Sequence, residues 1–560
     1  MMAETLRAVI LDHYRRHPGQ MFVRCLQPDG TAVPISYGDV VSRGSQFASE
    51  FRRSLAHPGD IVVVILPHSP DLFCAFLGAV LGGQVPSILA VPSFKLNPGH
   101  YREELQALLE RIDARVVVTD SATGSYLGLE KPRLGKSWIL LADKLPVSAA
   151  PIPDPSIGPE DLVLLQHSSG STGLKKGVAL SNRAVLKQIR EYAPSLCLTN
   201  EEQIVSWLPL YHDMGLIACT VLPIVVGIPV TALNPLHWVT KPASMLQAVS
   251  EYRCTRAWMP NFAYEFLASR IRPSQLGDIR LDSMRAWINC AEPTLAGSHR
   301  RFVEQYSKFG VRPETLWTCY AMAETVFAVS QSSEAVPPKI EWIDRERFQA
   351  DNLAIPVEGD KVPSLEMMSG GTLIPGAKVK VVDNEYKSLP GRTVGEIAIR
   401  SDFLFSGYFR DPSSTAKVLR DEWFYSGDMG YLADDHLFIT GRKKDLIIIA
   451  GKNYYPQDIE RIVCSIQGIY PGRSVALGLD DPGIGTQRLI VLAEVQEKSL
   501  VDDPGLCAEV RKTLAGELDC VIDDLRLLPH MWLLKTSSGK IARAPNLKRY
   551  LESFRPDILQ

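Results

Sequence analysis

Short apolar runs alternate with amphipathic segments through the first third of the chain. Ile61–Leu66 is apolar throughout, which is typical of a strand buried on both faces of a sheet. Pro70–Gly82 behind it has the length and composition of a buried helix. The alternation goes on to predict strands over Val85–Ala90, Arg115–Thr119, Ser137–Leu141 and Asp161–His167, and a helix over Glu103–Asp113. Strands that alternate with helices predict an α/β fold with parallel sheets covered on both faces.

The pattern changes near Thr440–Asp445, which we interpret as a domain boundary. Beyond it, Ser474–Leu479 and Leu489–Val495 predict strands of a smaller α+β unit that runs to about Pro556. The proline-rich segment Pro146–Pro159 predicts a surface linker within the large unit. The sequence therefore predicts two domains, residues 1–440 and residues 441–560.

Two long uncharged runs raise the question of a membrane span. Leu72–Phe94 and Leu216–Leu233 contain no charged residue, and each is about as long as a spanning helix. Pro86 interrupts the first run, and Pro223 and Gly227 interrupt the second. Such breakers favour a buried helix, a turn and a buried strand, so we predict no transmembrane segment.

Charge and cysteine usage exclude several classes of function. The net charge of −3 gives no basic field that would attract nucleic acid, so we predict no nucleic-acid partner. The ten cysteines contain no Cys-x-x-Cys pair, which argues against a disulfide framework or a zinc site. This usage fits a reducing compartment, and we expect a cytoplasmic protein.

The segment from Gln166 to Asn182, QHSSGSTGLKKGVALSN, carries the strongest chemical signal. It follows a predicted buried strand and concentrates hydroxyl side chains, glycines and lysines. Glycines allow close backbone approach, and exposed N–H groups with hydroxyls can hold phosphate. It is not a Walker loop, because Lys175 stands where that motif needs the glycine that follows Gly170. The alternative is a flexible surface turn.

This segment resembles the signature loop of the adenylate-forming superfamily, which includes acyl- and aryl-CoA synthetases, luciferases and peptide-synthetase adenylation domains. Four further motifs of that superfamily recur in the expected order: YAMAET at Tyr320–Thr325, YSGDMGYL at Tyr425–Leu432, GRKKDLIIIAGKNYYPQDIE at Gly441–Glu460 and KTSSGKIAR at Lys535–Arg543. The resemblance covers nearly the whole chain. It implies an α/β fold with a large N-terminal domain of three subdomains and a small, mobile α+β C-terminal domain.

The resemblance also implies a reaction and its cofactors. Such enzymes use ATP and Mg²⁺, attack the α-phosphate with a carboxylate, form an acyl-adenylate and release pyrophosphate. The implied ATP- and AMP-binding residues are Ser168, Ser169, Gly170, Ser171, Thr172, Gly173, Lys176, Ala291, Glu292, Pro293, Tyr320, Ala321, Met322, Asp428 and Arg442. Glu324 and Thr172 are the implied metal ligands.

Individual roles carry over by motif position. Lys540 matches the lysine that bridges the carboxylate and the α-phosphate, where a cation screens two anions. Asp428 matches the aspartate that accepts hydrogen bonds from both ribose hydroxyls. Arg442 matches the arginine that also reaches the ribose. Tyr320 is expected to stack on adenine, with the segment from Cys290 to Pro293 as the opposite wall. Lys444 matches the hinge about which the small domain rotates.

Three features resemble the fatty acyl-AMP ligase branch of the superfamily. The first is YHDMGL at Tyr211–Leu216, where the resemblance gives His212 a catalytic role. The second is MPNFAYE at Met259–Glu265, whose alternative is an ordinary helix start. The third is Ala323, where acyl-CoA ligases usually have threonine. The implied acyl tunnel is lined by Trp207, Met214, Gly215, Met259, Asn261 and Phe262.

A long segment before Pro375 supports the same branch. Fifty residues separate Glu324 from Pro375, and residues 339–369 mix apolar side chains with charges and prolines. The apolar positions are Trp342, Phe348, Ile355, Val362, Leu365 and Met367, which together predict a small packed module. In the branch it resembles, an insertion here restrains the small domain and hinders reaction with CoA. The alternative is an ordinary long surface loop.

The sequence thus predicts a fatty acyl-AMP ligase that activates a medium- to long-chain fatty acid. The apolar residues near the expected carboxylate site, with no polar selector among them, fit a fatty chain. By family analogy the acyl group then passes to an acyl carrier protein. Two alternatives stay open: a fatty acyl-CoA ligase, and a catalytically silent protein that binds nucleotide and lipid.

Overall fold

The computed structural model describes residues 3–27, 29–92, 98–146, 150–167, 176–359, 363–449, 451–481, 486–536 and 540–556. The N-terminal part contains α1 (Leu6–Arg16), β1 (Met21–Leu26), β2 (Ala32–Ser36), α2 (Tyr37–Arg53), β3 (Ile61–Ile65), α3 (Pro70–Gly82), β4 (Val85–Ile88), α4 (Pro98–Ile112), β5 (Val116–Thr119), α5 (Ser121–Tyr126), β6 (Arg133–Leu134), β7 (Ser137–Leu141) and β8 (Leu162–His167). The predicted alternation of strands and helices is confirmed here, and α3 and β7 have the predicted bounds.

Local sequence explains where these elements begin and end. Ser36 caps α2 through a reciprocal pair of hydrogen bonds with Asp39, which satisfies free N–H groups of the first turn. α3 ends at Gly83, whose φ of +78° favours glycine. β3, β4, β5 and β7 are parallel in a five-stranded sheet of order β4-β3-β5-β7-β6, and β3 is buried along its whole length.

The middle of the chain supplies the centre of a much larger sheet. It contains β9 (Gly177–Ser181), α6 (Asn182–Ser195), β10 (Ile204–Ser206), α7 (Leu222–Val226), β11 (Val230–Leu233), α8 (Pro235–Thr240), α9 (Ala243–Tyr252), β12 (Arg256–Met259), α10 (Asn261–Arg270), β13 (Ala286–Asn289), α11 (Ala296–Tyr306), β14 (Leu316–Ala321) and β15 (Ala328–Gln331). β11, β10, β12, β13 and β14 are parallel neighbours. Their carboxyl ends share one edge, where ligands bind in open α/β sheets.

The following segment adds antiparallel strands to the same sheet. It contains β16 (Ile340–Asp344), α12 (Arg345–Asp351), β17 (Ser364–Leu373), β18 (Lys378–Val382), β19 (Gly395–Arg400), β20 (Gly407–Tyr408), α13 (Pro412–Val418), β21 (Leu419–Arg420), β22 (Trp423–Ala433) and β23 (His436–Arg442). The whole sheet runs β18-β19-β22-β23-β17-β15-β14-β13-β12-β10-β11-β1-β2, with β16 on β17 and β21 on β22. β8, β9 and β20 form a separate three-stranded sheet.

The small C-terminal unit contains β24 (Ile447–Ile449), β25 (Lys452–Tyr454), α14 (Pro456–Ser465), β26 (Ile469–Asp481), β27 (Thr486–Val495), α15 (Pro504–Leu518), β28 (Asp524–Leu528) and α16 (Arg543–Phe554). The two strands predicted here lie inside β26 and β27, which pair antiparallel, while β28 joins β27 in parallel. The predicted domain division after residue 440 falls inside β23, which continues to Arg442.

The two uncharged runs form buried structure of the predicted kind. The first is α3, the turn at Gly83 and β4. The second is a π-type helix over Met214–Val221 that continues as α7, then turns at Gly227 (φ +82°) into β11. Among the described residues, no helix combines the length and the apolar composition that crossing a bilayer requires.

The segment 339–369 packs against the small C-terminal unit. Ile343, Phe348 and Leu365 share one hydrophobic core with residues of that unit such as Tyr455 and Ile459. The predicted packing of this module was wrong in part: Trp342 and Ile355 are 42% and 40% exposed. The reason is strand alternation, because Glu341 and Ile343 are the inward-facing residues of β16. Val362 lies outside the described residues.

Candidate active site

A carboxylate with two fixed partners lies beside the carboxyl end of β14. The Tyr320 hydroxyl donates to Asp428 Oδ2 over 2.8 Å, and Arg442 Nε lies 3.1 Å from Asp428 Oδ1. Asp428 and Arg442 are direct partners across β22 and β23, so the antiparallel register brings two distant motifs together. The negative charge of Asp428 raises the pKa of the Arg442 guanidinium. The arrangement orients one carboxylate before any ligand arrives.

The segment after β13 leaves the same edge of the sheet as the end of β14, because these two strands are parallel neighbours. Ala291 has a φ of +71°, and the preceding Cys290, fully buried, donates its N–H to the Met259 carbonyl over 3.0 Å. Glu292 Oε2 accepts from the Phe262 N–H over 3.0 Å, which holds the first turn of α10. Pro293 is exposed. Glu292 therefore connects the predicted nucleotide segment to the predicted acyl segment.

Lys540 of the small unit reaches this segment of the large unit. Its Nζ donates to the Ala291 carbonyl over 2.5 Å. Lys540 lies in a tight reversal in which Lys535 bridges Ile541 and the Thr536 N–H donates to the Lys540 carbonyl over 2.8 Å. Residues 537–539 lie outside the described residues. The two units therefore meet with the predicted bridging lysine inside the predicted nucleotide site.

Two buried polar side chains hold the base of this reversal, and sequence analysis missed both. Glu494 on β27 is fully buried and accepts from the Leu533 N–H over 2.7 Å and from His530 Nδ1 over 3.0 Å. Asn546 on α16 bonds both the N–H and the carbonyl of Leu534 over 2.8 Å. A glutamate in the apolar run of β27 was a visible signal, because a buried charge needs a partner.

Glu324, the predicted metal ligand, is held by Tyr408, a residue that the sequence analysis did not single out. The Tyr408 hydroxyl donates to Glu324 Oε1 over 2.9 Å, and Lys176 Nζ lies 4.7 Å from the centre of the Tyr408 ring. Burial raises the pKa of Glu324, and its bond to Tyr408 opposes that rise. Tyr408 is the second residue of the two-residue strand β20, and nothing in its local sequence pattern marks it as part of a site.

The described residues offer one carboxylate rather than a preformed metal cage. No group of three or more possible metal ligands of the His, Cys, Asp and Glu types occurs among them. Mg²⁺ needs no such group, because it usually binds one or two carboxylates together with substrate phosphates. Glu324 fits that pattern. The predicted phosphate-binding residues Ser168, Ser169, Gly170, Ser171, Thr172 and Gly173 lie outside the described residues.

The segment that contains His212 forms the start of the π-type helix. The Met214 N–H bonds Asp213 Oδ1 over 2.8 Å, and the His212 and Tyr211 ring centres are 5.0 Å apart. Burial raises the pKa of Asp213, while the charge of Lys540 opposes that rise. At Gly215 a Cβ would lie 2.3 Å from the Pro209 carbonyl oxygen, so only glycine permits this close approach. The effect of Lys540 on Asp213 indicates that the helix start lies within electrostatic range of Lys540.

The predicted acyl-tunnel residues divide into two groups. Trp207 stacks on Trp238 with ring centres 3.6 Å apart, and the Phe262 ring meets Trp207 edge-on at 6.1 Å. Met214 and Met259 are buried in the large hydrophobic core that also contains these two indoles. Asn261 instead belongs to a polar network, since its amide bonds Ser298, Asn289 and the Leu295 N–H over 2.9–3.1 Å. Its amide therefore anchors the start of α10.

The remaining predicted positions surround these groups. Ala321 ends β14, and the Met322 N–H donates to the Phe327 carbonyl over 2.9 Å. Lys444 lies in a 3₁₀ turn over Lys443–Asp445 that joins β23 to the small unit. Burial lowers the pKa of Lys444, and the neighbouring Arg442 charge adds to this effect. This turn is the covalent link between the two units.

Comparison with known proteins places this geometry in a family. The family model described as AMP-binding enzyme matches residues 11–409. A medium-chain-fatty-acid–[acyl-carrier-protein] ligase of Moorena producens is 29% identical over 92% of this chain and 90% of its own length. A long-chain-fatty-acid–AMP ligase of Mycobacterium marinum is 28% identical over 94% and 93%. A solved structure from a study of fatty acyl-adenylate ligases of E. coli and L. pneumophila superposes with a TM-score of 0.90 at 26% identity, covering 99% of this chain and 98% of that one. The chain therefore belongs to the family of AMP-binding enzymes, with the adenylate-forming α/β fold.

Proposed function

We propose that the protein is a fatty acyl-AMP ligase that activates a fatty acid with ATP and passes the acyl group to an acyl carrier protein. The observation that carries the proposal is the contact of Lys540 Nζ with the Ala291 carbonyl at 2.5 Å. This contact supports the proposal because it brings a cation of the small unit to the predicted nucleotide segment, where a carboxylate and a phosphate would meet. The similar ligases from Moorena producens and Mycobacterium marinum support the same activity.

In the proposed reaction a fatty carboxylate oxygen bonds to the α-phosphorus of ATP while the bond to the pyrophosphate oxygen breaks. The Lys540 charge reduces the repulsion between the carboxylate and the α-phosphate. It also stabilises the negative charge that builds up on the α-phosphate in the transition state. Asp428 accepts hydrogen bonds from the ribose hydroxyls, held in place by Tyr320 and Arg442. Fixed partners leave little reorganisation to occur in the transition state.

Mg²⁺ is the cofactor that the site residues fit, with Glu324 as its protein ligand. The Tyr408 hydroxyl occupies Glu324 Oε1, and this bond orients the second carboxylate oxygen. When bound, Mg²⁺ neutralises phosphate oxygens of ATP. Burial favours the neutral form of the Glu324 carboxyl, so Tyr408 also helps to keep the anion that the metal requires.

The segment 339–369 favours the arrangement that forms acyl-AMP over one that reacts with CoA. Phe348 packs on Tyr455 with ring centres 5.5 Å apart, and Asn453 Nδ2 donates to Asn352 Oδ1 over 2.9 Å. Arg345 also bonds the Glu517 carbonyl of the small unit. All three contacts stabilise the arrangement that inserts Lys540. A reaction that needs the small unit to rotate must first break them.

Product analysis with labelled fatty acid, ATP and either CoA or a phosphopantetheinylated carrier protein tests the proposal. We expect pyrophosphate release, accumulation of acyl-AMP, transfer to the carrier and little acyl-CoA even with excess CoA. Abundant acyl-CoA would instead favour a fatty acyl-CoA ligase. Absence of pyrophosphate release with every fatty acid tested would contradict fatty-acid activation altogether.

A further inference from the structure

Four aromatic side chains form one wall next to the candidate active site. Trp207 and Trp238 stack face to face with an interplanar angle of 5°, and we call this pair the indole stack. Phe262 lies edge-on to both indoles at 6.1 and 6.5 Å, and Phe266 lies 5.3 Å from Trp238. Trp207 and Trp238 are only 5% and 0% exposed. The indole stack is therefore interior, while Phe262 and Phe266 are half-buried beside it.

Three neighbouring strands position this wall. Trp207 directly follows β10, Trp238 lies on α8 just after β11, and Phe262 lies on α10 just after β12. β10 pairs in parallel with both β11 and β12, so all three side chains come from the same carboxyl edge of the sheet. That edge is where the nucleotide segment after β13 also lies. The wall and the candidate nucleotide site are therefore adjacent.

A short chain of contacts connects the wall to Lys540. Lys540 bonds the Ala291 carbonyl, and the next residue, Glu292, accepts from the Phe262 N–H. Phe262 then presents its ring to the indole stack. An acyl chain that extends from a carboxylate held near Lys540 along these contacts would reach the indole stack.

The two indoles leave no gap between them that a substrate could enter. Ring centres 3.6 Å apart are in van der Waals contact, so no alkyl chain passes between them. Neither indole N–H has an acceptor among the described residues, so no hydrogen bond fixes the indoles in register. What holds the pair is therefore aromatic contact and burial, which a change of side chain size alters directly.

We propose that the indole stack is the end wall of the acyl pocket and restricts the substrate to medium-chain fatty acids. The inference rests on the proposed function and narrows its substrate class. Each methylene that enters an apolar pocket improves binding by about fourfold. This gain continues until the chain end touches the stack, and longer acids must then displace an indole from a closely packed core.

The test is kcat/KM for pyrophosphate release with hexanoic, octanoic, decanoic, dodecanoic, tetradecanoic and hexadecanoic acids. We expect the wild-type protein to be most active on one of the middle acids and to lose at least about tenfold by hexadecanoic acid. Trp238→Ala should move the optimum to longer acids. Trp238→Phe keeps a ring and removes no hydrogen bond, so it should move the optimum less.

Trp287→Phe is the matched control. Trp287 is also fully buried and has no acceptor for its N–H among the described residues, but it packs on Phe302, away from the indole stack. We expect its chain-length profile to match that of the wild-type protein. If a thermal melt shows that Trp238→Ala does not fold, the chain-length profiles of Trp238→Phe and Trp238→Leu are measured in its place.

The outcomes separate the inference from the proposed function. Equal wild-type activity on hexadecanoic and octanoic acids, or folded Trp238 variants with an unchanged optimum, would overturn the indole stack as the end wall while fatty-acid activation stands. Absence of pyrophosphate release from every acid would overturn the proposed function itself. A shift in the Trp287→Phe profile equal to that of Trp238→Ala would show a general packing effect and also overturn the inference.

Discussion

Lys540 brings its charge into the candidate site from a separate unit of the chain. Its ammonium meets the Ala291 carbonyl, and Glu494 and Asn546 fix the reversal on which it lies. Lysine is a flexible point charge, so its placement depends on that support. The residue and its support therefore act together.

Lys540→Ala should lower the rate of acyl-AMP formation by about 10²–10³ while ATP still binds, because the lost charge matters most as the new phosphate bond forms. Pyrophosphate release and ATP titration calorimetry measure the two effects. Lys548→Ala is the control, since Lys548 is 75% exposed on α16. Near-normal acyl-AMP formation by Lys540→Ala would remove it from the catalytic role.

Asp428→Asn should weaken ATP binding by roughly 10- to 100-fold, because it removes the charge of an acceptor held by Tyr320 and Arg442. Titration calorimetry with ATP measures the change. Asp435→Asn serves as the control, since Asp435 is exposed in the turn between β22 and β23. Equal ATP affinity of both variants would leave Asp428 with a purely structural role.

Motif spacing predicted residues for ligand binding and catalysis but not the residues that support them. Lys540, Asp428 and Tyr320 belong to recognisable motifs, and the structure brings Tyr320 and Asp428 together. Tyr408 meets Glu324 across 84 positions of sequence, a contact that exists only after β20 and β14 are placed. No local pattern contains that information.

At the scale of elements, the segment 339–369 shows that apolar residues in a sequence do not all face the core. Its apolar residues were expected to share one core, yet Trp342 faces outward because Glu341 occupies the inward position of β16. Arg392 lies 3.1 Å from Glu341, and Tyr431 donates to it over 2.9 Å. A paired glutamate can replace an apolar residue inside, which hydropathy alone does not reveal.

The limits of this segment also matter for experiments. β17 runs Ser364–Leu373 and pairs with β15 and β23 through its second half. Removing residues 339–369 would therefore cut a strand of the central sheet. Point changes at the contact with the small unit are the better test.

Phe348→Ala should raise acyl-CoA formation with excess CoA, because it removes the ring that packs on Tyr455. A loss of about 1–2 kcal/mol of bias would increase the rotated population by roughly 5- to 30-fold. Separation of labelled products measures the ratio of acyl-CoA to acyl-AMP. Trp342→Ala is the control, since it lies in the same segment but is 42% exposed.

A thermal melt must show that Phe348→Ala is folded. An unchanged product ratio in the folded variant would mean that this contact does not limit the use of CoA. The barrier to CoA would then lie outside this contact.

At the scale of the whole molecule, hydropathy patterning predicted the parallel strands and their helices well. Buried parallel strands are nearly continuous apolar runs, as β3 is. It could not predict that β14 and β15 join a parallel half to an antiparallel half in one long sheet. Strand order depends on contacts between residues that are distant in the chain. The local periodicity of hydrophobic residues contains no information about such contacts.

Buried histidine makes the stability of the whole molecule dependent on pH. Burial lowers the pKa of His299 to about 3, and Asn289 lies 3.1 Å from its Nε2. An unfolded chain protonates this histidine below its ordinary value of 6.5, while the folded protein keeps it neutral. The free energy of unfolding should therefore fall as the pH decreases from about 6.5 towards 3, by up to about 4 kcal/mol from this group.

Urea unfolding between pH 7 and pH 4.5 measures this effect. His299→Gln keeps an acceptor for Asn289 but does not titrate, so its stability should decrease less over the same range. Equal pH dependence in both proteins would assign the acid sensitivity to other groups.

The hydrophobic core that Phe348 and Leu365 share with Tyr455 and Ile459 has a consequence for folding. The small C-terminal unit does not complete its own core, because residues of the segment 339–369 supply part of it. A fragment ending at Arg442 would expose Phe348 and Leu365 to water and tend to self-associate. The two fragments, expressed separately, should recognise each other through the same side chains and restore adenylation by complementation, without a covalent hinge.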